Sequence, residues 1–182
     1  MKLLRWALVV VMIGIGSGVA AAQSDSVKTD GAYVFGTVGR GGFAGLDSGA
    51  PAFGGWLLGA GAGRALGHGW FVEGVVDRLV SYTSDDSADQ GDVTALYGRV
   101  GHRWGPPSRA FRPFVAFAVG GVVDRWRNEY GDERRVGGSV YGALLGGDFR
   151  AGDRFFVRPE VSLLGGLGEV FGRALIGVGY RF

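Results

Sequence analysis

Apolar and polar positions alternate at a period of two along most of this chain, and that period marks strands, whose successive side chains point to opposite faces. From Glu169 to Phe182, the positions Tyr180, Val178, Ile176, Ala174, Gly172 and Val170 carry no charge, while Arg181, Arg173 and Glu169 fall in the intervening set. In Phe155–Leu164, Val157, Pro159, Val161 and Leu163 oppose Arg158, Glu160 and Ser162. Glu73 and Asp77 oppose Val72, Gly74, Val76 and Val80. Tyr97, Arg99 and Arg103 oppose Leu96, Val100 and Trp104, and Asp148 points away from Phe149, Leu145 and Tyr141.

Such segments recur about eight times: Ala32–Arg40, Phe53–Ala65, Trp70–Tyr82, Val93–Trp104, Phe111–Trp126, Ser139–Arg150, Phe155–Leu164 and Glu169–Phe182. Each is near the roughly 9–11 residues a tilted strand needs to cross hydrocarbon. The connections alternate between tight, as at Leu66-Gly67-His68-Gly69, and longer and polar, as at Thr83–Gly91 and Arg127–Arg135. The first, second and fifth segments are so rich in glycine and alanine that neither face declares itself. No helical period of comparable length competes.

Either face of such strands can be the buried one. A soluble sandwich or lipocalin turns the apolar face inward, whereas a barrel in lipid does the reverse and must close, because each unpaired backbone group in hydrocarbon costs several kcal/mol. Two features favour the barrel. Aromatic residues gather near segment ends, among them Trp70, Phe71, Tyr82, Trp104, Phe111, Trp126, Phe149, Phe155, Tyr180 and Phe182, as in the girdles at membrane interfaces. The amino terminus also reads as an export signal, with Lys2 and Arg5, an apolar run from Trp6 to Ile15, and Ala20-Ala21-Ala22 before Gln23 as a small-residue cleavage site. That run, about ten residues, falls short of the roughly twenty a spanning helix needs. Residues 1–22 are therefore expected to be a cleaved signal peptide, 23–30 a flexible leader, and 31–182 one barrel domain.

Removing the signal changes the charge balance. Two of the 19 Lys+Arg and none of the 17 Asp+Glu lie in residues 1–22, leaving 19 − 2 = 17 cations against 17 acids, which gives no argument for a nucleic-acid partner. Apart from Lys28, those cations are all arginine, whose fork suits desolvated pairing with carboxylates. The 37 glycines follow no three-residue repeat, so collagen is excluded. A chain with no cysteine has neither disulfides nor thiolate metal sites.

The export signal, the strand starts RPF at Arg112 and VRPEVSLL at Val157, the glycine-punctuated LLGAGAG and the ending IGVGYRF together resemble the small eight-stranded outer-membrane β-barrel family, OmpA/OmpX-like, over essentially residues 31–182. The resemblance implies an antiparallel up-and-down barrel in the cell outer membrane, in contact with outer-membrane lipid and lipopolysaccharide, with no cofactor. It also implies handling by periplasmic chaperones and the outer-membrane assembly machinery. In that family a terminal phenylalanine with alternating apolar positions is the signal the machinery reads, which carries over to Phe182, Tyr180, Val178 and Ile176. The peptidoglycan-binding domain of the larger members is expected to be absent. Pro113 and Pro159 each remove a ladder donor and are expected near the periplasmic rim or at bulges.

Inward charges are the main chemical constellation: Glu73, Asp77, Asp148 and Glu160 against Arg99, Arg103, Arg158, Arg173 and Arg181. An eight-stranded barrel is just wide enough for side chains to fill, so these charges are expected to pair and obstruct flow. The expected role is structural, stabilising the envelope through a non-conducting barrel. Adhesion or ligand recognition through exposed loops around Asp47, Asp85 and Arg134 is the alternative. Catalysis needs an activated nucleophile; His68 lies in a glycine turn and His102 on the lipid-facing parity, and neither forms the His-x-Ser arrangement of lipid-modifying barrels, so no catalytic residue is expected. Two distant histidines make no metal site, and the acidic run Ser84–Asp92 lacks the closing glutamate of a calcium loop. GAGAG implies close strand packing rather than a phosphate cradle, since no helix follows.

Overall fold

The computed structural model describes residues 31–45, 53–83, 90–127, 133–166 and 169–182. These residues form eight strands: β1 (Ala32–Gly45), β2 (Phe53–Gly67), β3 (Trp70–Thr83), β4 (Gln90–Arg103), β5 (Phe111–Arg127), β6 (Glu133–Ala151), β7 (Phe155–Gly166) and β8 (Glu169–Arg181). Each pairs antiparallel with its chain neighbours, and β8 returns to β1 in a register running from Tyr33 opposite Arg181 to Gly45 opposite Glu169. The sheet is thus a closed up-and-down barrel, the fold class that the alternation predicts. The expected signal and leader, and the loop positions Asp47 and Asp85, lie outside the described residues.

The connections β2–β3, β4–β5 and β6–β7 share one end of the barrel, hereafter the turn end. His68 and Gly69 join β2 to β3 with φ of 52° and 84°, the pair of left-handed residues that a two-residue type I′ hairpin demands. Residues 152–154 join β6 to β7 and 104–110 join β4 to β5. At the opposite, loop end several strands run further than their alternation indicates: β1 reaches Gly45, β4 begins at Gln90, and β6 begins at Glu133 rather than Ser139. Beyond the hydrocarbon both faces meet water, so the ladder continues where side-chain alternation no longer matters.

The outer face is apolar. Phe117, Val119, Tyr141, Leu145, Val161, Leu163, Ile176 and Val178 are each more than half exposed, a contiguous apolar surface far beyond what a soluble monomer shows and the one a lipid-facing barrel requires. Exposed Trp70, Trp104, Phe111, Phe149 and Phe155 ring the turn end. Phe71 does not join them: it is fully buried and meets Phe114 edge-on at 5.7 Å. Its place next to Trp70 puts it on the opposite face, so the parity of β3 overrides nearness to the strand end. The side chains of Tyr82 and Trp126 lie outside the described set. Pro113 sits at the turn end of β5, where an absent donor costs least. Pro159 stands further along β7 without a bulge; the β6–β7 register is the same on both sides of it, and only the bridges at Pro159 and Arg158 lapse.

Candidate functional site

Pairing assigns the faces that composition leaves open. Tyr33, Phe35 and Thr37 of β1, Leu57 of β2, and Arg112, Phe114, Ala116, Ala118 and Val122 of β5 are buried and point inward. Glycine makes the room for them. Tyr33 stands opposite Gly63 and Phe35 opposite Gly61, Phe71 opposite Gly101, Phe114 opposite Gly146, and Phe156 opposite Gly179. A Cβ on any of these glycines would run into the ring facing it. Each ring therefore lies against a neighbouring backbone, which leaves the axis of the lumen to the charged side chains. This is the close packing that LLGAGAG implies.

The structure brings all nine inward charges named from the sequence into one connected network. Glu73 on β3 accepts from Arg99, from Arg103 Nη2 at 3.0 Å, from Arg158 Nη1 at 2.8 Å and from the Tyr33 hydroxyl at 2.5 Å. Arg158 turns its Nε to Asp148 Oδ1 at 2.7 Å, and Asp148 also lies 3.2 Å from Arg103 Nε and 3.7 Å from Arg181 Nη2. Arg99 Nη1 donates to Glu160 at 2.9 Å, while Arg173 binds Asp77, donates to the Ser162 hydroxyl and stands 3.5 Å from Glu160. Arg158 of β7 and Glu73 of β3 come from diametrically opposite strands of the ring, so their contact spans the lumen.

Aromatic rings complete the surroundings. The Arg158 guanidinium lies 4.7 Å from the ring centre of Phe35 and 5.0 Å from that of Phe156, and that of Arg103 lies 4.1 Å from Phe71. Ring faces attract cations most when both are desolvated. Toward the loop end the interior changes character, with Leu57, Leu79, Val93, Val122, Val140, Leu164 and Phe171 lining a cavity of about 30 Å³ above the Asp77–Arg173 pair. That is room for about two water molecules.

The histidines stand apart from this network. His102 Nε2 donates to the His68 carbonyl oxygen at 3.0 Å, and its ring packs edge-on against Trp70 and Trp104 at 5.3 and 5.1 Å. This is the packing of an interfacial girdle. Among the described residues no three His, Cys, Asp or Glu side chains are grouped to hold a metal ion.

Sequence reasoning did not place Tyr33 or Arg112 in the interior, where both are buried. Tyr33 is found only through the register that sets it near Glu73, a separation of 40 residues. Arg112 follows from its register opposite Asp148.

No protein-family model matches the chain, and no curated protein does. Among solved structures, it is similar to Neisserial surface protein A, with 11% identity and a TM-score of 0.69 over 86% of this chain and 100% of that one. It is similar to the N-terminal β-barrel domain of Pseudomonas aeruginosa OprF, with 18% identity and a TM-score of 0.59 over 85% and 100%. A third is Ail, the attachment invasion locus protein of Yersinia pestis, with 11% identity and a TM-score of 0.57 over 84% and 99%. At these identities the likeness is one of fold: the chain has the architecture of the small eight-stranded outer-membrane β-barrels.

Proposed function

We propose that this chain spans the cell outer membrane as a barrel closed to ion flow by its own charges, and that it serves the envelope structurally. The contact between Arg158 and Glu73 at 2.8 Å, made across the full width of the lumen, carries this reading. Any ion passing along the axis would have to displace a buried pair, and breaking such a pair by exposing one partner alone is strongly unfavourable. In this arrangement the turn end faces the periplasm and the loop end faces outward. The reading assigns the barrel no catalysis; a His102→Ala protein that lost a lipid-hydrolysing activity present in the wild type would overturn that part. Purified protein in planar bilayers is expected to show no unitary conductance, and reproducible open channels would refute the closed interior.

The reading extends to biogenesis. Ile176, Val178 and Phe182 project outward at 54%, 58% and 74% exposure, and Tyr180 packs edge-on against Phe182 at 5.4 Å, so the outward face of β8 presents these side chains to assembly machinery and its periplasmic chaperones. Deleting Phe182 is expected to leave the chain unassembled in the periplasm. Normal membrane fractionation of that variant would remove the signal from the proposal.

A second reading, recognition at the outer loops, draws on the likeness in fold to Ail, which has also been solved in complex with the heparin analogue sucrose octasulfate (TM-score 0.55, 11% identity, 84% of this chain and 99% of that one). Glycan or cell binding that disappears when residues 46–52 and 84–89 are replaced by glycine-serine linkers would select it.

A further inference from the structure

Where β4, β5 and β6 rise past the apolar belt, the outer face carries charge that the interior network does not use. Arg125 on β5 stands directly opposite Arg135 on β6 and, on its other side, opposite Asp92 on β4. These positions continue the outward faces that begin with Phe117 and Val119 on β5, Tyr141 and Leu145 on β6, and Leu96 and Val100 on β4. Asp92 is already engaged by Arg78 Nη2 at 2.6 Å, so the row presents three guanidinium groups to one carboxylate. Arg125 and Arg135 are both exposed. Like charges directly across a strand pair repel, and here the repulsion is built into the register.

Height decides what can relieve it. Arg125 lies about fourteen residues beyond the girdle residue Phe111, which at ~3.3 Å per residue and a tilt of ~40° is about 35 Å along the membrane normal. A hydrocarbon core is ~30 Å thick, with headgroups on either side. The pair therefore reaches the headgroup layer.

We propose that this row binds the phosphate groups of an anionic lipid in the outward-facing leaflet, with Arg125 and Arg135 gripping one phosphate from two sides and Arg78, held by Asp92, completing the basic rim. Guanidinium forks match phosphate oxygens two at a time. The arginines share the outward parity of the apolar belt and stand at headgroup height, where lipid phosphates reach them from the side, which is why a lipid phosphate and not a polyanion held on the loops is assigned. The inference rests on the membrane-barrel reading.

The test compares wild type with Arg125→Gln/Arg135→Gln, each first shown to be folded by heat-modifiable gel mobility, and reads retention of bis-phosphorylated and dephosphorylated lipid A by native mass spectrometry. Wild type is expected to retain the phosphorylated lipid at least tenfold better than the double variant, and the variant to lose the preference for phosphate. Equal retention of phosphorylated lipid by both proteins overturns the site. So does displacement of that lipid by inorganic phosphate at comparable concentration, which makes it a free-anion site, or tighter arginine-dependent binding of sucrose octasulfate, which makes it a glycan site. If the double variant fails the gel test, Arg135→Gln alone replaces it with the same outcomes. A wild type that is not heat-modifiable would bring down the barrel reading itself, a result distinct from any of these.

Discussion

Toward the turn end, the inward positions carry Tyr33, Glu73, Arg99, Arg103, Asp148 and Arg158, each bonded to another; toward the loop end, the same parity carries Leu57, Leu79, Val93, Val122, Val140 and Leu164. Both halves are filled with side chains, by unlike physics. The charged half depends on particular partners, since a buried ion left alone incurs its full desolvation cost. The apolar half depends on volume, and one aliphatic side chain can stand in for another with little loss. The interior of a barrel of this width can thus be filled by chemistry at one end and by bulk at the other.

Breaking the charged half should have the largest effect. Glu73→Ala leaves three arginines without their shared acceptor and is expected to cost about 3–5 kcal/mol, seen as a lower urea midpoint of the folded barrel in detergent. An unchanged midpoint would mean that the network contributes nothing to stability. Leu79→Ala, in the apolar half, is expected to cost roughly 2–4 kcal/mol through the enlarged cavity, yet to remain non-conducting because every ion pair survives. Conductance in this variant would show that the apolar half, not the charged one, is the seal.

Smaller substitutions sharpen the same contrast. Gly61→Ala presses a methyl into the Phe35 ring and is expected to cost about 1–3 kcal/mol by overpacking, whereas at Gly74, on the outer face, an added Cβ meets nothing within 4 Å. Gly74→Ala should stay within about 0.5 kcal/mol of wild type, and equal losses at both sites would refute the packing role assigned to the inward glycines. The smallest effect is expected at the outer rim, where Arg125→Gln removes a repulsion of about 0.2–1 kcal/mol. It should raise the unfolding temperature in uncharged detergent and lower it, relative to wild type, once phosphorylated lipid is added.

Eight strands and the faces of five of them were legible because Glu73, Arg99, Asp148, Arg158, Glu160 and Arg173 each alternate with glycine or apolar neighbours. The faces of β1, β2 and β5 were not. In β2, alternation runs between glycine inside and alanine outside, at Gly59, Gly61 and Gly63 against Ala60 and Ala62, and no hydropathy difference separates them. The information lies instead in the partner strand, as the opposition of Phe35 to Gly61 shows. Strand ends were misplaced at Glu133 and Gln90 for a related reason, since backbone pairing outlasts the side-chain pattern once both faces are wet. That Arg158 and Glu73 both face inward needed only parity, but which acid Arg158 meets, and the joining of Tyr33 to the same carboxylate, needed register.

The seam between β1 and β8, where the Phe182 amide donates to the Ala32 carbonyl at 3.0 Å, has a consequence for how such a molecule comes into being. The ring is completed only when its earliest strand meets its latest, so any partly threaded intermediate presents two rows of naked amides, which oil does not tolerate. An intermediate in the bilayer must then have those edges covered until the seam closes. The same adjacency makes the choice of opening arbitrary: joining the two ends and cutting at Gly152 would leave every rung of the ladder in place.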